Sequence, residues 1–458
     1  MGRTKLSFGF VTKSAIILAA LILVNEASAG ELKVLQQPKP ETATFNVLWT
    51  FAGTPNDAGP PYWNRGVVDS SGNFYGETEY GGANDAGAVF EVSPTEGGGW
   101  TETVIHNFGP RYSGDGGTPS GSLLMDKNGN LYGTTAGGGI FDNGTVYKLS
   151  PNSEGRWTET ILYSFSWPGS GDGAGPSGGV TMDAEGNLYG VTGCGGTGAA
   201  ATFCATTGNE SAGAGTVYKL SPTSSGEWKE TVLYSFSHYG KSGYGPWGEI
   251  LVSGGNLIGF ANSQGASDYG LIWELQANST GKKWTNKTLY TFTGGLDGGE
   301  PNADGGSIVA DSAGNLYGVA YIGGASNTGA VWELVYSAKT NTYGEQTLYS
   351  FGIHNGNDGN YPAWGLTQGR NGVFYGDTVE GGGGTACDTE GCGTVFSLTP
   401  GQNGQWEETT IYSFEGGTNG ANVGYNGLTM DASGNLYGMT AGGYLGGPKS
   451  GEVFEIRP

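Results

Sequence analysis

The sequence predicts an all-β chain: a seven-bladed β-propeller of four-stranded antiparallel blades, its ring closed by the N-terminal strand. Three observations predict it. An acidic, glycine-containing octet typified by Asp183 to Gly190 recurs seven times along the 458 residues at a nearly constant interval. Each interval holds four short runs of β-branched and aromatic residues bounded by Gly, Pro, Ser or Asn, and no run of helical period. The two ends of the chain are also out of phase, in a way that lets one complete the other.

Residues 1–29 place Arg3, Lys5 and Lys13 ahead of the apolar run Ala15 to Val24, followed by Ala27-Ser28-Ala29. That order of a basic head, a short apolar run and a small-x-small site reads as a secretory signal peptide. The run is short for a membrane span, the competing reading, and no second apolar run follows. Residues 30–44, with Gln36, Gln37, Pro38 and Pro40, lack apolar periodicity and read as a linker, which leaves 45–458 for the propeller.

The clearest repeat begins with strand A, Gly179 to Asp183, turns at the octet, and continues in strand B, Asn187 to Thr192. Strand C is Gly215 to Ser221 and strand D is Glu230 to Phe236. The octet is the A–B corner, because Gly and Asn tolerate the left-handed conformation a tight reversal needs. Its other copies run from Asp69, Asp126, Val252, Asp311, Gly369 and Asp431, so blades four and six lack the Asp and are expected to turn more loosely. Strands C and D are apolar at odd and even positions alike, so both faces of each sheet must be covered, as blades packed around an axis provide.

Strand D occurs first at Leu48 to Phe51, before any strand A, whereas the chain ends on a strand C, Glu452 to Phe454. Pairing the two completes the seventh blade and removes exposed edges. An open β-solenoid is the alternative, and this offset argues against it. The 91 glycines, about 20% of the chain against roughly 7% in average proteins, fall in register with the strands and are turn residues, not a sign of disorder.

The net charge of −22 excludes the basic face that nucleic acid or an anionic membrane surface requires. A soluble, exported monomer is expected. Cys194 with Cys204 and Cys387 with Cys392 form two close pairs in Gly-rich loops, read as two local disulfides. A four-thiolate zinc site is the competing reading, and the spacing is poor for it.

The pattern G-x-L-x-x-D-x-x-G-N-L-Y-G-x-T, then G-T-V-Y-x-L-S-P and W-x-E-T-x-L-Y-S-F, resembles the GloVer tandem repeat of exported bacterial choice-of-anchor proteins, over nearly all of residues 45–458. The resemblance implies an extracellular setting and carries no catalytic residue. The corner is also similar to that of NHL-type propellers, which are mostly binding or scaffold modules.

Function is expected on the face that carries the variable B–C loops and the D–A loops. Trp63, Trp247 and Trp364, with Tyr62, Tyr244 and Tyr361, lie where D–A loops enter the inner strands, as aromatic platforms for a glycan or peptide; packing between blades is the competing role. Arg65 and Glu249 lie beside them as polar ligand contacts. Asp115, Asp172, Asp297 and Asp358, each followed by Gly and then Pro, are read as turn-bonding residues in preference to a calcium ring. With three histidines and no readable triad, no metal, no cofactor and no catalytic residue is expected. The alternative is a carbohydrate-active hydrolase or lyase with carboxylates drawn from Glu249, Glu300 and Asp304 near the channel.

Overall fold

In every blade the strand-B glycine of the octet lies directly across from the strand-C aromatic: Gly76 from Phe90, Gly133 from Tyr147, Gly190 from Tyr218, Gly259 from Trp273, Gly318 from Trp332, Gly376 from Phe396 and Gly438 from Phe454. The ring folds over the glycine, so a Cβ there would sit 2.3–2.5 Å from an aromatic atom. All seven aromatics are buried. A glycine that weakens an isolated strand thus becomes the seat for a buried aromatic ring.

These pairs belong to a seven-bladed, all-β propeller, seen in a computed structural model. It describes residues 43–458 apart from 53–56, 111, 167–169, 199–212, 238–242, 264–267, 304, 385–386, 388–390, 402–403, 417–419, 422 and 442–450. The expected signal peptide and nearly all of the expected linker lie outside the described residues. Among the described residues the helical content is two short 3-10 turns, Arg370–Gly372 and Val423–Tyr425.

A typical blade is Val67–Val68, Phe74–Thr78, Ala88–Pro94 and Trp100–Asn107, a four-strand antiparallel meander. The last blade runs Thr429–Met430, Leu436–Thr440, Glu452–Arg457 and then Thr44–Thr50, with Thr44 opposite Arg457 and Thr50 opposite Glu452. The N-terminal strand therefore closes the ring as expected.

The Asp of the corner does more than permit a turn. At Asp183 one carboxylate oxygen accepts the amides of Glu185 and Asn187, and the other accepts the Asn187 amide group and the Tyr189 hydroxyl. The same set recurs at Asp126, Asp311 and Asp431. Burial opposes ionisation there, but these donors hold the carboxyls below the usual range. Where the Asp is missing, the chain turns by other means: Ser253 pairs with Asn256 around two left-handed glycines in blade four, and blade six uses the 3-10 turn with Asn371 left-handed.

The core is divided among the junctions. Seven buried clusters lie between successive blades, each built from strands B, C and D of one blade and A, B and C of the next. At the loop face a second contact repeats. The residue before a proline in the D–A loop donates its N–H back to the preceding blade's B–C loop: Thr118 to Ala86, Gly175 to Asn143, Gly245 to Ala214, Glu300 to Tyr269 and Tyr361 to Thr328, at 2.8–3.0 Å.

At the outer end of five D–A loops, a Glu on the next strand D approaches the loop's Asp, as Glu102, Glu159, Glu230, Glu345 and Glu408 do with Asp57, Asp115, Asp172, Asp297 and Asp358. Glu102, Glu230 and Glu408 are pushed up to about 7, first by burial and then by the charges of Asp57, Asp172 and Asp358.

Two outcomes follow. Gly190→Ala forces a methyl into Tyr218 and is expected to cost about 1–3 kcal/mol in chemical denaturation, whereas Gly344→Ala, with nothing within 4 Å of the new Cβ, should change little; equal effects would remove the steric account. The raised glutamates favour the protonated form in the folded chain, so their contribution is complete below the unfolded value of about 4.3 and is lost as pH rises through about 7. The melting temperature should therefore fall between about pH 5 and about pH 8, and the triple variant Glu102→Gln, Glu230→Gln, Glu408→Gln should flatten that slope. An unchanged slope would contradict the assignment.

Candidate functional site

Register along the innermost strands decides which side chains reach the axis. Val67, Leu124, Thr181, Leu251, Val309 and Thr367 are equivalent, since each pairs with the strand-B residue that follows the corner. Four residues before them stand Trp63, Ser120, Ser177, Trp247, Gly305 and Ala363. The first five line one cleft of about 290 Å³, together with prolines 119 and 176. Trp63 is 42% exposed and Trp247 39%, so both rings present a free face to it. Neither neighbour fills the space between them, because Ser120, Ser177 and Gly305 are small.

Trp364 does not join them. It stands three residues before its strand-A marker, Thr367, one position out of register with the other two tryptophans. A one-residue shift along an extended strand sends a side chain to the opposite face. Accordingly Trp364 is 3% exposed and packs on Gly427, whose Cβ would lie 2.0 Å from the indole. Tyr62 stays beside Trp63, with ring centroids 6.3 Å apart. Tyr244 packs into the hydrophobic cluster between blades three and four, and Tyr361 packs against Tyr321 at 5.1 Å; neither lines the cleft.

The intermediate register is where backbones meet. Gly121, Gly178, Gly248 and Gly306 occupy it, and a Cβ on any of them would strike backbone of the neighbouring blade, at 2.2 Å for Gly121 against Gly179 and 2.3 Å for Gly178 against Gly248. Asn64 and Asn426 join the ring there, the Asn64 N–H donating to the Asn426 side chain at 3.2 Å. The inner strands are therefore drawn together below the cleft.

One layer deeper, two residues past the cleft tryptophans, Arg65 and Glu249 meet across the axis at 2.8 Å. The Ser122 hydroxyl donates to the second oxygen of Glu249. Three blades thus contribute to one charge-paired plug. Arg65 and Glu249, read from the sequence as separate ligand contacts, meet each other here, and each occupies the other.

Glu79 is a carboxylate of the cleft lining, raised by burial. Glu300 is half-buried and likewise raised by burial, while Asp304 lies outside the described residues. Asp172 accepts the amides of Ser166 and Gly173 and the Tyr163 hydroxyl; Asp297 and Asp358 are bound in the same manner by Tyr290 and Tyr349. Cys387 and Cys392 form a disulfide with Cα atoms 5.3 Å apart. Cys194, at the cleft, is disulfide-bonded as well, and Cys204 lies outside the described residues.

Sequence reasoning missed Ser122, and it missed the cluster of His106, Asp115 and Glu159 at the first junction. A signal for the second was present: His106 stands where five other blades place Tyr163, Tyr234, Tyr290, Tyr349 and Tyr412.

Among solved structures, the chain resembles a Thermus thermophilus protein described as an oxidoreductase (glucose dehydrogenase), at 14% identity and TM-score 0.40 over 74% of this chain and 95% of that one. It also resembles a protein of unknown function from Dyadobacter fermentans, at 12% identity and TM-score 0.40 over 90% of this chain and 99% of that one. No curated protein matches it. The model of the Gloeobacter/Verrucomicrobia repeat matches residues 34–204 and 201–389, more than three quarters of the sequence. The chain belongs to the Gloeobacter/Verrucomicrobia repeat family.

Proposed function

We propose that the protein is an exported binding module that takes a glycan in the cleft between Trp63 and Trp247. The observation that carries this reading is the pair of large, half-exposed indoles lining one small apolar hollow. Leaving two such rings in water costs stability, and a free monomer gains nothing from it. Indole faces are the standard platform for the apolar face of a sugar ring, while the hydroxyls of Ser120 and Ser177 and nearby backbone groups supply hydrogen-bond partners.

The size favours a short ligand. About 290 Å³ is at the low end for small-molecule sites, near 300 Å³. It fits one or two sugar rings, such as the end of a chain. A purely structural role would bury both tryptophans. A glycosidase would require two free carboxylates about 5–9.5 Å apart, and Glu79 is the one acidic residue among the described cleft residues. The plug below spends Glu249 on Arg65.

The signal-like residues 1–29 and the disulfides support export to an oxidising compartment. Among the described residues no helix is long and apolar enough to cross a membrane. The module acts as a monomer.

A glycan array followed by calorimetry tests the reading. Trp63→Ala and Trp247→Ala should each weaken the best array ligand about tenfold or more, near 1.4 kcal/mol, with little change in melting temperature. Trp364→Ala should do the reverse, costing about 3–5 kcal/mol of stability as a buried truncation with affinity retained in the folded fraction. Folded protein that binds no glycan, or binds instead a peptide, sinks the proposal.

A further inference from the structure

Outside the cleft, the first blade junction carries a side chain that changes its chemistry. At the second, fourth and fifth junctions a strand-D tyrosine donates its hydroxyl to the D–A loop Asp at 2.8–2.9 Å: Tyr163 to Asp172, Tyr290 to Asp297 and Tyr349 to Asp358. At the first junction His106 takes the tyrosine's place. Its Nε2 lies 3.5 Å from Asp115 Oδ2 and 3.6 Å from Glu159 Oε1. Both Nε2 and Glu159 Oε1 are buried and make no hydrogen bond. The three ligand atoms lie within 4.8 Å of one another, the one such His, Asp and Glu group among the described residues.

Those spacings are too long for a charge-assisted hydrogen bond, which closes to about 2.7–2.9 Å. They match something else. Ligands at about 2.0–2.2 Å from a tetrahedral zinc ion stand about 3.4 Å apart. One imidazole with two carboxylates is a mixed nitrogen and oxygen set suited to a divalent transition cation, whereas calcium and magnesium seek oxygen alone.

The set is also held from behind. The Gly109 and Gly116 amides each donate to Asp115 at 2.7 Å, fixing the carboxylate, and the His106 ring packs edge-on against Phe108 at 4.8 Å. The repeat supplies the same two amides to Asp172, so the fold itself holds the carboxylate in place, as outer contacts hold a metal ligand, and His106 is the side chain that adds a nitrogen ligand.

We propose that His106, Asp115 and Glu159 bind one divalent transition cation of the zinc class, bridging blades one and two, with a water completing the fourth position. His106 and Asp115 come from the first blade's strand D and the loop that leaves it, and Glu159 from the next strand D, so the ion ties two blades where the second, fourth and fifth junctions use a tyrosine hydroxyl.

The repeat itself supplies the control. His106→Tyr installs the residue found at the other junctions and should fold normally. Chelator-treated protein is titrated with zinc alone in excess calcium, by calorimetry, and with cobalt, read by visible absorption. The wild type should take up one zinc and give the intense absorption of four-coordinate cobalt; His106→Tyr should lose the absorption and bind zinc about tenfold more weakly or worse. Glu159→Gln should weaken zinc as well, and His354→Gln should not. Equal zinc affinity in the wild type and His106→Tyr, loss on His354→Gln, or no zinc uptake by the wild type would each overturn the site.

Discussion

The seating of an aromatic ring on the strand-B glycine is the contact on which the rest of the molecule depends. It does two things that a pair of ordinary strand residues would not. The ring lies over the glycine of the neighbouring strand, and it fixes the B–C register, since a slip by one residue would set the ring against the Tyr or Ile that precedes the glycine or the side chain that follows it. Seven equal blades then present equal faces, and the junction clusters can repeat. Phe, Tyr and Trp all occur at the ring position, so the constraint is on the glycine and the flat shape, not on a particular side chain.

A second glycine constraint acts at the axis. Four of the seven inner strands lack a side chain at this register, and Gly121, Gly178, Gly248 and Gly306 allow neighbouring backbones to touch. The Arg65–Glu249 pair sits beneath. Left-handed backbone also marks the D–A loops: Trp63, Thr118, Glu300 and Tyr361 stand at φ 53, 53, 52 and 58. Left-handed backbone costs a β-branched residue such as Thr118 most. It persists because the inter-blade hydrogen bond and the proline seated against the neighbouring loop glycine determine the conformation twice over.

The blade count, strand order and ring closure were legible because they are carried by local signals repeated seven times, so an exception in one copy, such as Val252 or Gly369, is outvoted. The site had no such redundancy. Trp63, Trp247 and Trp364 look alike in sequence, each beside a tyrosine or glycine in a D–A loop. Counting from the strand-A residue separates them, at four, four and three positions, and the odd one is buried. That count needs the corner pairing, which sequence supplies only where the corner is regular; blades four and six, the two with irregular corners, hold Trp247 and Trp364. The pairing of Arg65 with Glu249 was not legible at all, because it crosses the axis between blades one and four and leaves no spacing rule.

Repetition and function divide along the same line. Positions that recur, such as the octet Asp and the strand-B glycine, are saturated with partners inside one blade and have no bonding capacity left to offer a ligand. Capacity arises where one copy departs from the pattern while its neighbours keep theirs. A tryptophan in place of a serine at two of the axial positions gives exposed apolar surface that the rigid ring cannot fold away. A histidine in place of a tyrosine at one junction replaces a hydroxyl donor with a ring nitrogen between two carboxylates. In both places the blades that keep the pattern hold the geometry fixed, so a departure changes chemistry without changing the fold. For a chain of repeats, the informative residues are therefore the exceptions read in register.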